Sequence, residues 1–398
     1  MKRLLTYALC GLCALTLASC GNDDFNGGYT PTQGSEVTYN PQPVAKTNKM
    51  NVLVHFMPWF VAPEKSGVWN HWTMSTNAMT ADNYASWYHP MTGAYASDDA
   101  DVLDYQCLLM KYSGIDGVIA DWYGTQQSGD APMIENCTKA LLGAVKKAGL
   151  KLAICYEDQA TKSASNATTQ GRLDMRYLQY NYFSSSSYAK VGDRPLLLCF
   201  GPQNIGTPAD WTRVFSILTT QPEFLVLPGN SYKCNNAQQK NAQGEFTWVN
   251  PNPDYSVAKN FEIYMGGAMP GFHDHYKESG QGEGYTTYDS ENGALFQRQL
   301  SAAQSAGLSW LQISTWNDYG EGTIIEPTTE FGYRYLTALQ TFTGVSYDQS
   351  VLEAIYKWYT LKKKLSANKS AQQSLREAYG YFVELKPDQA IAIINKLQ

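Results

Sequence analysis

Asp318 and Glu321 stand three residues apart in the stretch "TWNDYGEGT" that begins at Thr315, directly after the apolar run "LSWLQIS". Acids beside Trp316 and Tyr319 at the end of a core strand are costly to keep charged unless they are paired or neutralised. Two neighbouring carboxylates also push their pKa values apart, so that one holds its proton at neutral pH while the other does not. Cleavage of an acetal linkage needs that division of labour: an acid to protonate the leaving oxygen and a second carboxylate to act as base or nucleophile. Taken as one helical turn, a spacing of three puts both side chains on one face. Gly320 and Gly322 would let the backbone turn tightly and let a ligand approach. The plainer alternative is a capped turn held by a salt bridge.

Further polar and aromatic residues sit where apolar runs end. His55 and Trp59 close the run "NVLVHFMPWF", and Trp72 follows in "VWNHW". Asp121 and Trp122 close "DGVIADWYG", Glu157 and Asp158 close "LKLAICYED", and His273 lies in "PGFHDHY". Asp121, Glu157 and Asp158 are candidates for substrate hydrogen bonds or for tuning the acid. Trp59, Trp72, Trp122 and Tyr319 are candidate platforms for sugar rings, with Asn317, His55 and His273 as further substrate contacts. Each has a structural alternative, Asp121 as a helix cap, His55 as a core histidine, the aromatics as packing. His273 and His275, two apart, could share a face as metal ligands. No third spaced ligand accompanies them, and no metal or cofactor is expected.

These residues need a scaffold that gathers strand ends. Short apolar runs alternate with helical patterns from Asn51 onward, and two of the helical patterns stop at Gly114 and Gly149. Apolar runs of this length between helices indicate parallel strands buried on both faces. About eight such units predict an α/β fold, a (β/α)8 TIM barrel with extra C-terminal helices, whose functional residues lie at the C-terminal mouth of the barrel. No GxGxxG or P-loop opens a helix, which argues against a nucleotide-binding open sheet. The expected boundaries are a signal peptide over 1–20, a flexible tether over 21–48, the barrel over 49–345 and a helical extension over 346–398 packed on it.

The motif around Asp318 resembles two glycoside hydrolase families. "ISTWNDYGEGTIIEP" is similar to the carboxylate motif of family 99, the endo-α-mannosidases and endo-α-mannanases, which read Glu-Trp-His-Glu-Gly-Thr where this chain reads "DYGEGT". It is also similar to family 71, the α-1,3-glucanases, which carry Trp-Asn-Asp-Tyr-Gly-Glu. "HFMPWF…GVWNHW" and "YHPMTGAYASDDADVLDYQCLLMKYSGIDGVIADWYG" resemble earlier family 99 segments, so the likeness runs over about 51–335. It implies a hydrolase of α-mannan or α-glucan, endo-acting, with Glu321 as general acid. Asp318 then falls on the base that deprotonates the sugar's 2-hydroxyl, on a retaining route through a 1,2-anhydro sugar. The Asp-Tyr-Gly-Glu spelling points instead to the inverting route of family 71, with water as the nucleophile. The alternatives are a non-catalytic glycan-binding surface protein and a metal-dependent hydrolase built on His273 and His275.

Composition and the N-terminus bear on setting. The 398-residue chain has 28 Tyr and 10 Trp but only 17% charged residues and a net charge of −6, which argues against nucleic acid as a partner. Lys2 and Arg3 precede "LLTYALCGLCALTLASC", a basic start and a short apolar stretch of the kind that directs export. "LASC" resembles a bacterial lipobox, which implies a lipid anchor on Cys20 and an outer-membrane location in the cell envelope. Of the later cysteines, Cys107, Cys137, Cys155, Cys199 and Cys234 form no CxxC or zinc spacing and are expected to be free and buried.

Overall fold

The structure is a computed structural model that describes residues 39–73 and 84–398. The expected signal peptide, Cys20 and the expected tether up to residue 38 lie outside the described residues. Eight parallel strands form the centre: β1 (Asn51–Phe56), β2 (Gly117–Trp122), β3 (Lys151–Tyr156), β4 (Arg194–Cys199), β5 (Glu223–Val226), β6 (Gly244–Phe246), β7 (Ile263–Ala268) and β8 (Trp310–Ile313). Each pairs with the next in the chain. The sheet closes where Asn51–Val54 of β1 pairs with Trp310–Ile313 of β8, so the barrel has no free edge.

Alternation of side chains decides what each strand residue faces. Leu53, Ile119, Ala153, Leu196, Leu198, Leu225, Phe246 and Met265 pack together inside the barrel. Their neighbours Val52, Val54, Val118, Ala120, Leu152, Ile154, Leu197 and Phe224 join the larger core beneath the helices. Both faces are therefore apolar, which is why the strands read as continuous hydrophobic runs. Carried two residues on, the inward parity reaches His55, Asp121, Cys155 and Glu157 at the C-terminal ends.

Six α-helices cover the barrel: α1 (Ala100–Tyr112), α2 (Ala131–Ala148), α3 (Ala167–Leu178), α4 (Pro208–Phe215), α5 (Ala294–Ser305) and α6 (Arg334–Thr343). Asp99 caps α1 by accepting from the Asp101 and Val102 amides, and α2 stops at Gly149 with φ +74°. After β5 and β6 the connections carry only 3-10 turns, Ser231–Lys233 and Tyr255–Asn260. Those segments are rich in Asn, Pro and Gly, which are poor helix formers, so two of the eight units lack a helix.

Three more helices follow: α7 (Gln349–Lys364), α8 (Lys369–Val383) and α9 (Pro387–Lys396). They sit against α1 through Tyr105 on Tyr359, 4.9 Å between centroids, and the Tyr112 hydroxyl donating to the Phe382 carbonyl at 2.9 Å. Residues 39–48, assigned from the sequence to the tether, are fastened to this extension and to the end of α6. Tyr39 packs edge-on against Tyr379, the Gln42 amide donates to the Val383 carbonyl at 3.0 Å, and the Asn48 amide to the Thr343 carbonyl at 3.1 Å. The five cysteines from Cys107 onward are free and buried.

Candidate active site

The acid pair sits on a β-hairpin, which corrects the helical-turn reading. Beyond β8 the Thr315 amide and hydroxyl both donate to the Thr323 carbonyl, and Asn317–Asp318 pairs antiparallel with Thr323–Ile324. The turn is Tyr319–Gly322. Asp318 Oδ1 accepts the Glu321 amide at 3.0 Å, so one acid braces the turn that carries the other. Gly322 has φ +68°, and a Cβ there would lie 2.5 Å from the His273 carbonyl oxygen. The hairpin tip is joined to the loop after β7 by the His273 amide donating to the Glu321 carbonyl (3.0 Å) and the His275 amide to the Gly320 carbonyl (2.9 Å). From the same loop Tyr276 donates its hydroxyl to Glu321 Oε1 at 3.0 Å.

Asp121 and Glu157, at the ends of β2 and β3, belong to the same electrostatic cluster. Burial holds Asp318 well above the usual carboxylate range, and the charges of Glu321 and Asp121 add to the effect. Burial also raises Glu321, against the opposing hydrogen bond from Tyr276, with Asp274 nearby raising it further. Asp121 is raised by burial, and Glu157 by burial together with the charges of Asp121 and Asp158. Among the described residues no Lys or Arg is paired with any of these four acids. With no cation to compensate, burial and mutual repulsion keep the four acids from all being ionised at neutral pH, so the cluster can offer both a protonated and an ionised carboxyl group.

His55 and Asp121 form the floor. Gln312 Nε2 donates to the Thr247 carbonyl at 2.6 Å, which turns its Oε1 toward His55 Nδ1 at 3.3 Å. That places the imidazole proton on Nδ1 and leaves Nε2 as an acceptor. Burial holds His55 neutral, with its pKa lowered to about 4 despite the Gln312 bond. Nε2 faces Asp121 Oδ1 at 4.0 Å, and neither atom has a hydrogen-bond partner. With Cys155 they make three potential ligand atoms within 4.8 Å of one another. Tetrahedral zinc would need the nitrogen and oxygen only about 3.4 Å apart. Burial also keeps the Cys155 thiol protonated. The spacing fits a metal poorly. It suits one bridging hydroxyl-type oxygen, whose two hydrogen bonds of about 2.8 Å would meet at ~90°.

The other candidates separate cleanly. Trp59 is half-buried and stacks on His71 at 4.9 Å; His273 stacks on Trp87, which is 38% exposed, at 4.8 Å. These ring pairs remain available as sugar platforms. Asp158 is not a substrate contact: it is fully buried and accepts the amides of Gln203, Asn204 and Ile205 at 2.6–2.7 Å, fixing the loop after β4. Trp122 points outward, by strand parity, and donates to Glu135 on α2 at 2.7 Å. Trp72 is buried and donates to the Tyr95 carbonyl. Asn317 clamps the Met57 amide (2.8 Å) and carbonyl (3.1 Å), and the Tyr319 hydroxyl donates to Glu326 at 2.8 Å, so both face the core. Asp274 accepts the Tyr276 and Tyr285 amides, and His275 Nδ1 contacts the Ser279 hydroxyl at 2.7 Å. "HDH" therefore organises its loop, and among the described residues it belongs to no cluster of metal-ligand geometry.

Three residues near the acids escaped the sequence reading: Tyr276, Trp87 and Trp248. Trp248 follows Phe246 by two, so inward parity could have found it; it packs edge-on against His55 at 4.7 Å. Trp87 and Tyr276 come from loops, where no periodicity applies.

No protein-family model matches the chain. Its sequence is 21% identical over 348 residues to the glycoprotein endo-α-1,2-mannosidase of Rattus norvegicus, covering 74% of this chain and 73% of that protein. The fold is similar to that of the GH99 endo-α-mannosidase from Bacteroides thetaiotaomicron, solved in complex with Bis-Tris-propane. The TM-score is 0.60 at 19% identity, over 73% of this chain and 95% of that one. A glycoside hydrolase-like protein matches with a TM-score of 0.55 at 14% identity, over 76% and 97%. The chain thus has the barrel fold of these proteins, with additional C-terminal helices.

Proposed function

We propose that this protein hydrolyses an α-linked glycan, an α-mannan or α-glucan, within the chain. The observation that carries the reading is one hairpin presenting Asp318 and Glu321 beside Asp121, with no Lys or Arg among the described residues paired to any of them. The shared fold with an endo-α-mannosidase supports the substrate class. Glu321, kept protonated by burial and oriented by Tyr276, gives its proton to the glycosidic oxygen as the C1–O bond breaks. Asp318 takes the proton from the attacking oxygen, either the sugar's own 2-hydroxyl or a water. Asp121 and Glu157 receive sugar hydroxyls at the floor, with His55 buried behind Asp121, and Trp59 and the Trp87–His273 pair carry rings at the rim.

The test is a pair of shape-preserving substitutions assayed on α-mannans and α-glucans. A general acid contributes typically 10²–10⁴-fold, so Glu321→Gln lowers turnover by about that factor. An activated aryl glycoside, whose leaving group needs little protonation, is spared. Asp318→Asn impairs both substrates, because the base acts at the sugar. Near-wild-type hydrolysis by either variant refutes these roles. Folded wild-type protein that binds these glycans without cleaving any would favour the glycan-binding alternative.

A further inference from the structure

One buried carboxylate takes no part in the chemistry above. Glu326, just past the hairpin's return strand, is 1% exposed. Its Oε2 accepts the hydroxyls of Tyr95 and Tyr319, each at 2.8 Å, and its Oε1 accepts Gln106 Nε2 at 2.7 Å. Among the described residues it is paired with no Lys or Arg. An unpaired buried carboxylate is expensive, so its presence calls for a reason beyond packing.

Its three donors come from separate parts of the chain. Gln106 lies on α1, and Tyr95 on the segment before it. Tyr319 lies in the turn itself, between Asp318 and Glu321. The Tyr95 hydroxyl also accepts from Asn317 Nδ2 at 3.2 Å, and Asn317 holds Met57 at the end of β1. A continuous hydrogen-bonded path therefore runs from β1 through Asn317, Tyr95 and Glu326 to Tyr319, gripping the hairpin on both sides of Asp318.

We infer that Glu326 is a positioning residue: by holding Tyr319 it sets the orientation of Asp318 and Glu321 relative to the barrel mouth. This rests on the roles proposed for those two acids. What the site requires of residue 326 is an acceptor shared by two tyrosines, and not the charge. The Gln106 Oε1 atom is buried without a partner. Its amide can turn over to accept from a glutamine at 326, whose own oxygen would still serve both hydroxyls.

The experiment compares Glu326→Gln, Glu326→Leu, Tyr319→Phe and the double variant Glu326→Leu/Tyr319→Phe. Displacements of about 1 Å cost up to 10²-fold, so Glu326→Leu is expected to lower kcat roughly ten- to hundredfold with KM changed less than about twofold. Glu326→Gln stays within about threefold of wild type. Tyr319→Phe falls between them, and the double variant is no worse than Glu326→Leu, because both act through one contact. Additive losses, or a Glu326→Leu variant that melts earlier but turns over normally when folded, overturn the inference. Hydrogen exchange of the peptide spanning 315–326 provides a readout independent of activity. Faster exchange there than elsewhere in Glu326→Leu supports the positioning role even if no glycan is cleaved, and unchanged exchange overturns it.

Discussion

Gly322→Ala probes how closely the hairpin must meet its neighbouring loop. At φ +68° an L-residue carries a left-handed backbone penalty of about 1–2 kcal/mol. The added Cβ would lie 2.5 Å from the His273 carbonyl oxygen, a backbone atom that no rotamer change can move aside. Relief requires the hairpin and the loop after β7 to part by about 0.5–1 Å. That separation stretches the His273-to-Glu321 and His275-to-Gly320 hydrogen bonds, now 3.0 and 2.9 Å, each contributing about 1 kcal/mol. The expected loss is roughly 2–4 kcal/mol of stability, read from urea denaturation at constant m. It also moves Glu321 away from Tyr276, with kcat falling by about 10²-fold. Gly192→Ala is the matched control. It has φ +58° and nothing within 4 Å of its would-be Cβ, so it should show only the backbone penalty and full activity. If Gly322→Ala is no less stable than Gly192→Ala and turns over normally, the close approach does not hold the acid in place.

Asp158→Ala strips three amides of their acceptor, that of the buried Ile205 among them, and is expected to destabilise by about 3 kcal/mol while leaving KM unchanged, measured by denaturation and kinetics. Trp59→Ala and Trp87→Ala should each raise KM about two- to tenfold, whereas Trp122→Phe should lower only stability, by about 1 kcal/mol. Stability should decline as pH rises. Burial raises Glu326 to about 7 from 4.5, against hydrogen bonds from Gln106, Tyr319 and Tyr95, and Asp121, Glu157, Asp318 and Glu321 are raised as well. Each binds its proton more tightly folded than unfolded, so this contribution is complete below about pH 4 and is lost as pH rises through 7 and beyond. Tyr95, Tyr105, Tyr319 and Tyr359, the titratable groups around Glu326, are all raised by burial and stay neutral across this range. A melting temperature that climbs from pH 5 to pH 9 would contradict this. If Cys20 carries lipid, as the resemblance of "LASC" to a lipobox implies, Cys20→Ser should move the protein from the membrane fraction to the soluble fraction without changing its melting temperature; retention in membranes would refute the lipid anchor.

The barrel and the acid pair were both legible in the sequence, for different reasons. Strands buried on both faces must be apolar throughout, so "NVLVHF", "GVIADW", "LAICY" and "RPLLLC" announce themselves without any knowledge of their partners. Asp318 and Glu321 stood out because acids are rare beside aromatics at the end of such a strand. Parity along β2 also sends Asp121 inward and Trp122 outward, since a period of two admits no other arrangement. What local pattern could not decide was the fate of polar groups whose partners lie far away in the chain. Asp158 resembles Glu157 in sequence, yet its carboxylate is consumed by amides more than forty positions on. Asn317 and Tyr319 flank the acid but turn to Met57 and Glu326. The hairpin itself, in place of a helical turn, depends on Thr315 meeting Thr323 and on the loop after β7 lying against it. Residue types and spacing determined the scaffold and drew attention to the two acids. Only tertiary contact decided which polar side chains were left free to meet a substrate, because a buried polar group goes to whichever partner the fold brings within hydrogen-bond reach.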